Sequence, residues 1–266
     1  MGIIKAVAFD LDGTIYIGEK LVDGVVEILN YLKNKNIKIF YFTNNSAKTR
    51  KDIHKKLLNL GLNPEIGFIY NCAYATGKYL KNNSFKKVYC CGSPGLKEEI
   101  VLAGIECVND KEFPDAVVVG LDHEFNYVKM SVALNFLLKK ECKFIVCNRD
   151  RNYPVEKSRL MPGCGSIVAG LEFATARQAD VIIGKPETFM LDLLCKNWNF
   201  QNKEILIVGD TFDSDIAMAD AYGSPSLLLD CNDKYSGNAA KIRSITEVKK
   251  YQTYFFTSVM LLIFAA

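Results

Sequence analysis

The chain has 266 residues, long enough for one large domain or for a core carrying an inserted second domain. Apolar residues make up 49% and charged residues 24%, ordinary globular usage that argues against disorder and against a multi-span membrane protein. Its 33 basic and 30 acidic residues leave a formal charge of +3 spread along the chain, which draws no nucleic-acid footprint; lysine runs at 33–38 and 48–56 fall at helical spacing and read as solvated helix faces. The first 70 residues alternate apolar runs with amphipathic stretches. They predict a strand at 4–9, a helix at 25–35, a strand at 37–42, a helix at 48–60 followed by Gly61 as its C′ residue, and a third strand at 66–70. Short connections of this kind imply a parallel sheet with right-handed crossovers. In the middle, strands at 88–91, 116–119 and 144–147 alternate with helices at 94–102 and 127–139, a second α/β unit inserted at 79–180. The last third returns to the first grammar, with a strand at 181–183, a helix at 186–197, strands at 205–208 and 226–229 and a helix at 213–221, pieces that can extend the first sheet. The expected fold is α/β: a doubly wound, Rossmann-like parallel-sheet core, residues 1–78 plus 181–266, with an inserted α/β domain.

Nine cysteines, an odd number without C-x-x-C, and two histidines, His54 and His123, supply neither a disulfide framework nor a paired zinc site. Reduced, mostly buried thiols in a cytoplasmic protein are expected. The first five residues lead straight into a predicted strand, so no secretory signal is expected. At the other end, residues 254–266 form an apolar run shorter than the ~20 residues that span a bilayer, read as a final core strand or helix, with membrane association or an anomaly of the sequence end as the alternatives.

Four polar strings stand where strands run out, the place an open parallel sheet gives its ligand site. Asp10-Leu11-Asp12-Gly13-Thr14 follows the strand ending at Phe9; two acids so close to a buried strand stay ionised cheaply only when a cation or proton is shared, and magnesium suits carboxylate and carbonyl ligands. Thr43-Asn44-Asn45-Ser46 offers a hydroxyl, an amide and the N–H groups of a helix start to an anion, although Asn45 or Ser46 can equally cap that helix. Gly184-Lys185-Pro186-Glu187 places a lysine beyond a strand, with Pro186 read as the first residue of the next helix. It is no P-loop, because Ala179 and Pro186 stand where that motif needs Gly and Ser or Thr. Gly209-Asp210-Thr211-Phe212-Asp213-Ser214-Asp215 puts Asp210 at a strand tip, as a metal ligand, and two further acids at a helix start.

In this order the strings resemble the motifs of the haloacid dehalogenase superfamily of aspartate-nucleophile phosphatases. The insertion is similar to a cap of the C2 type. Within it Gly120-Leu121-Asp122, Tyr127, Lys129, Asn148-Arg149-Asp150 and Pro162-Gly163-Cys164-Gly165-Ser166 resemble the subfamily of NagD, p-nitrophenylphosphatase and the phosphoglycolate and pyridoxal phosphate phosphatases. The resemblance runs to about Lys250, and the apolar tail departs from it. It implies that Asp10 is the nucleophile and forms an aspartyl phosphate, and that Asp12 is the general acid and base. It also implies that Thr43, Asn44 and Asn45 bind phosphate and Lys185 offsets charge. Magnesium would be held by Asp10, the Asp12 carbonyl and Asp210, with Asp215 further out. The cap would close over the site, with Asn148, Asp150 and the turn at 163–166 as substrate contacts or structural turn residues. The implied substrate is a small phosphorylated metabolite: an aryl phosphate, phosphoglycolate, a nucleoside monophosphate or a sugar phosphate. No nucleic-acid or membrane partner is expected, and a homodimer formed through the cap is left open. The alternatives are a phosphotransferase of the same superfamily and a non-catalytic, receiver-like phosphorylation switch, a class about half this length with no insert.

Overall fold

The computed structural model describes residues 4–155, 159–237 and 239–251, so the apolar run at 254–266 lies outside the described residues. The chain forms two compact units, one of Met1–Thr43, Leu57–Ile69 and Leu191–Ala266, the other of Asn44–Lys56 and Tyr70–Met190. The insert read at 79–180 falls wholly within the second. Among the described residues no helix is long and apolar enough to cross a membrane.

The first unit is organised by the strand Ala6–Asp10, buried along its whole length. An apolar run without alternation is what a strand covered on both faces requires. It pairs in parallel with Lys38–Thr43 on one side and with Ile205–Gly209 on the other. The sheet order is Lys241–Ile242, Ser226–Leu229, Ile205–Gly209, Ala6–Asp10, Lys38–Thr43, Ile69–Asn71. Register then decides what meets at the carboxyl end: Asp10 stands opposite Phe42 and Phe9 opposite Val208, so Thr43 and Asp210 follow at the same edge. The helix Val25–Asn34 covers one face with Val25, Ile28, Leu29 and Leu32, the 3.6-residue stripe read from the sequence.

The second unit holds a five-stranded sheet in the order Val181–Ile182, Lys143–Val146, Ala116–Val119, Lys87–Cys91, Glu106–Cys107, with every pairing parallel. One side of its core gathers Val117, Val119, Phe136, Phe144, Val146, Val168 and Leu171. A separate antiparallel hairpin joins Asn152–Val155 to Arg159–Pro162.

Several expectations change here. Val181–Ile182 does not extend the first sheet but pairs with Lys143–Val146, because the Phe144 N–H donates to Asp180 Oδ2 at 2.7 Å and the Ile183 N–H to the Val146 carbonyl at 3.0 Å. The segment read as a strand at 66–70 begins as a 3₁₀ turn, Ile66–Phe68, closed by the Phe68 N–H on the Glu65 carbonyl, and the strand is Ile69–Asn71. Pro186 does not open a helix; the Glu187 N–H closes a turn on the Gly184 carbonyl at 3.0 Å and the helix starts at Phe189. Residues 163–166 are not a free turn: Gly163 caps the helix Cys164–Thr175. That helix went unread, as did Cys72–Asn82, which Asn71 caps by accepting the Tyr74 N–H at 3.1 Å.

Candidate active site

The carboxyl edge of the first unit's sheet carries three acids. Asp10, Asp210 and Asp215 each bring a carboxylate oxygen to within 4.8 Å of the others, with Asp10 and Asp215 buried and Asp210 exposed. Glycine makes this crowding feasible. A Cβ on Gly13, whose φ is +94°, would stand 2.2 Å from Asp210 Oδ2, and one on Gly209 would stand 2.2 Å from the Asp215 carboxyl carbon. The Thr211 N–H donates to Asp215 Oδ2 at 3.2 Å and the Thr14 hydroxyl to Asp210 Oδ1 at 3.4 Å. The segment expected as a plain helix from 213 starts instead with a π-helical stretch, Phe212–Ile216, before Ala217–Tyr222. Its wider turn is the kind found at functional sites, and Phe212 is pinned by stacking on Tyr235 at 4.4 Å between ring centroids. The donor set is oxygen alone, which fits a hard divalent cation such as magnesium and does not suit zinc or copper.

Asp12 is exposed and accepts a hydrogen bond from the Tyr16 hydroxyl at 3.3 Å. The backbone folds back to permit it, with the Ile15 and Tyr16 N–H groups both on the Leu11 carbonyl and the Gly13 N–H on the Tyr16 carbonyl. Burial, and then the charges of Asp12 and Asp10, push the Tyr16 phenol far above its ordinary value, so it remains a donor. Sequence reasoning passed over Tyr16, since nothing local marks it. Thr43 is buried at the end of its strand, next to the residue paired with Asp10.

A second group of expected site residues meets within the second unit. Asn44 bonds to Lys185 and to Asp150 through its side chain, and its carbonyl accepts Asn148 Nδ2 at 2.7 Å. Neither Asn45 nor Ser46 caps the next helix, which begins at Arg50 and is capped by Thr49, whose Oγ1 accepts the Asp52 N–H at 3.0 Å; the Asn45 side-chain oxygen instead closes a turn by accepting the N–H groups of Ala47 and Lys48 at 3.0 Å each. Ser46 Oγ accepts the Leu121 N–H at 2.9 Å. Lys129 Nζ reaches Asp122 Oδ2 at 2.7 Å, and Arg149 pairs with Glu172, so two of the polar strings singled out within the insert also carry ion pairs there.

The model of the haloacid dehalogenase-like hydrolases matches residues 7–106, and a second model, HAD-hydrolase-like, matches residues 182–247. Phosphoglycolate phosphatase 1A of Arabidopsis thaliana, a chloroplast protein, is 34% identical over 251 residues, covering 85% of this chain and 68% of that relative. The chain belongs to the haloacid dehalogenase-like hydrolases. Within this family it is similar in structure to the 4-nitrophenylphosphatase of Thermotoga maritima, with a TM-score of 0.86 at 27% identity over 93% of this chain and 97% of that one. It is also similar to a glycerol phosphate phosphatase of Mycobacterium tuberculosis solved in complex with magnesium, with a TM-score of 0.78 at 27% identity over 85% of this chain and 68% of that one. This haloacid dehalogenase-like hydrolase is thus of the NagD and p-nitrophenylphosphatase group, and its reaction class is hydrolysis of phosphoric monoesters.

Proposed function

We propose that the chain is a cytoplasmic, magnesium-dependent phosphatase of small phosphomonoesters that works through an aspartyl phosphate on Asp10. The observation that carries this reading is the meeting of Asp10, Asp210 and Asp215 at one sheet edge in a chain of this family. Asp10 attacks phosphorus and displaces the leaving oxygen, and Asp12 gives that oxygen its proton. Asp12 then takes a proton from the water that attacks the phosphorylated carboxylate, which releases phosphate and restores Asp10. The Tyr16 hydroxyl orients Asp12 for both transfers. Thr43 and the main chain of the Asn44–Asn45 segment hold phosphoryl oxygens, and the Lys185 ammonium offsets their charge. Asp10, the Asp12 carbonyl and Asp210 would hold magnesium, with Asp215 reaching it through water; when bound, the ion neutralises charge on the carboxylates and the phosphoryl group.

The region 79–180 is proposed as the inserted cap that selects the leaving group. Relatives named for phosphoglycolate, glycerol phosphate and 4-nitrophenyl phosphate define the substrate class as a small ester of one phosphate. Free cysteines throughout suit a reducing compartment. The test is Asp10→Asn, expected to abolish hydrolysis of 4-nitrophenyl phosphate while the circular dichroism and melting profile stay native. Retained turnover in a clean preparation removes Asp10 from the mechanism. A screen of phosphoglycolate, glycerol phosphate, nucleoside monophosphates, sugar phosphates and pyridoxal phosphate then ranks the class by kcat/KM.

A further inference from the structure

The side-chain amide of Asn44 is fully engaged within the second unit. Its Oδ1 accepts the main-chain N–H of Lys185 at 2.8 Å, and its Nδ2 donates to the main-chain carbonyl of Lys185 and to Asp150 Oδ1, each at 3.0 Å. One amide group therefore binds both peptide groups of a single residue, the pairing a neighbouring strand would make, although Asn44 lies in no strand. This happens where the sheet's own ladder stops, with the Gly184 N–H on the Cys147 carbonyl at 2.7 Å as its last bond. The approach is close enough to require glycine, since a Cβ on Gly184 would stand 2.6 Å from Asn44 Oδ1.

Asn44 is itself anchored. Its carbonyl accepts Asn148 Nδ2 at 2.7 Å, and Asn148 Oδ1 accepts the Asp150 N–H at 3.1 Å, so the three residues close a ring through side-chain and main-chain groups. The ring is bolted to a helix: the Gly165 N–H donates to the Asp150 carbonyl at 2.9 Å, and a Cβ on Gly163 would stand 2.1 Å from that same oxygen. A lysine has a flexible four-carbon stem, so the position of its ammonium depends on how firmly its Cα is held.

We infer that Asn44 is a positioning residue for Lys185, fixing the root of that side chain through both of its peptide groups, with Asn148 and Asp150 as the anchors of the clamp. The inference rests on the phosphatase reading and deepens it, because it assigns the Asn44 side chain to the lysine rather than to the phosphoryl group. Loss of the clamp lets the ammonium wander without removing it.

The test is a double-mutant cycle on the full chain with 4-nitrophenyl phosphate and magnesium, reading kcat, KM and inhibition by inorganic phosphate, with Trp198 fluorescence and circular dichroism as checks of folding. Asn44→Ala is expected to lower kcat by about 10- to 100-fold, the scale of a misplaced catalytic group. KM should hold within about twofold, and adding Asn44→Ala to Lys185→Ala should cost no more than about a further twofold, as for two changes that remove one interaction. Losses that multiply, or a raised KM and weakened phosphate inhibition at unchanged kcat, would overturn the clamp and return Asn44 to the phosphoryl group. Because Asn44→Ala can fail to fold, a second pair also decides. Asn44→Asp sets a carboxylate against Asp150 and the Lys185 carbonyl and should lower kcat; adding Asp150→Asn restores a donor opposite an acceptor and should recover part of the loss. No recovery in a folded double variant counts against the clamp. An unaltered chain inert towards every phosphomonoester sinks the phosphatase reading and the inference with it, whereas an active chain with multiplying losses sinks the inference alone.

Discussion

In the first unit three carboxylates, from Asp10, Asp210 and Asp215, gather within 4.8 Å, whereas in the second the Asn44 and Asp150 side chains meet donor to acceptor and the Asn148 side chain ties the main-chain groups of both. The first arrangement crowds like charges, which a bound cation would relieve. The second satisfies itself, and a satisfied network that is partly buried favours one geometry. Backbone space is cleared in both by glycine, but for different ends: Gly13 and Gly209 admit acids, while Gly163 and Gly184 admit main-chain and amide contacts. One unit gathers charge of one sign, the other pairs donors with acceptors.

Removing divalent metal should separate them most widely. Chelation, or Asp210→Asn, is expected to lower hydrolysis by at least about 1,000-fold, matching the several kcal/mol a metal supplies to charge stabilisation. Magnesium should also raise the melting temperature of the metal-free chain, read at Trp198 in the first unit; a rate indifferent to chelation would dissolve the contrast. Next come the glycines. Gly13→Ala forces a side chain to φ +94° and into Asp210, and should destabilise by about 1–3 kcal/mol while weakening magnesium binding. Gly170→Ala, inside the helix Cys164–Thr175, meets only the mobile end of Met130 at 3.3 Å and should be neutral or stabilising by up to about 1 kcal/mol. Denaturant midpoints of the two variants check the pair.

A smaller effect belongs to the second unit alone. Lys129→Met strands the buried Asp122 carboxylate, bonded at 2.7 Å in the native chain, and should cost about 1–2 kcal/mol. The magnesium dependence of the rate should not move. The smallest effect is alkaline. Burial pushes the phenols of Tyr41 and Tyr89, one in each unit, up to about 12 from an ordinary 10.0. Folded, they keep protons that the unfolded chain releases, so their contribution is complete below pH 10 and is lost as pH rises towards 12. Tyr41→Phe and Tyr89→Phe should each flatten that decline, measured by urea unfolding on either side of pH 10.

Much of the first unit was legible because its strands are unbroken apolar runs that stop at a polar residue: Phe9 before Asp10, Phe42 before Thr43, Val208 before Gly209 and Asp210. Such runs announce both a buried parallel strand and the edge where it ends. Partners were less legible than elements. The strand Val181–Ile182 could be read, but its sheet is fixed by Asp180 holding Phe144, 36 positions away, and no local pattern carries that. Asn44 stood out as polar, while its tie to Lys185 spans 141 positions. The helix Cys164–Thr175 escaped because Gly165 and Gly170 dilute its apolar stripe, and Gly165 is there for the backbone of Arg149, which a Cβ would meet at 2.5 Å. Glycine weakens the helical signal wherever packing demands it.

All nine cysteines are free, and all except Cys107 and Cys231 are buried. Burial holds the thiols of Cys72 and Cys90 well above their ordinary range and pushes that of Cys91 up to about 12, which keeps them protonated and slow towards electrophiles. A maleimide dye offered briefly at neutral pH should therefore settle on Cys231. That residue sits beside Asp230, whose carboxylate fixes the N–H groups of Lys234 and Tyr235, and Tyr235 in turn stacks on Phe212, two positions from Asp210. The native chain thus carries its own attachment point for a fluorophore, wired through one aromatic pair to the acids that gather at the sheet edge.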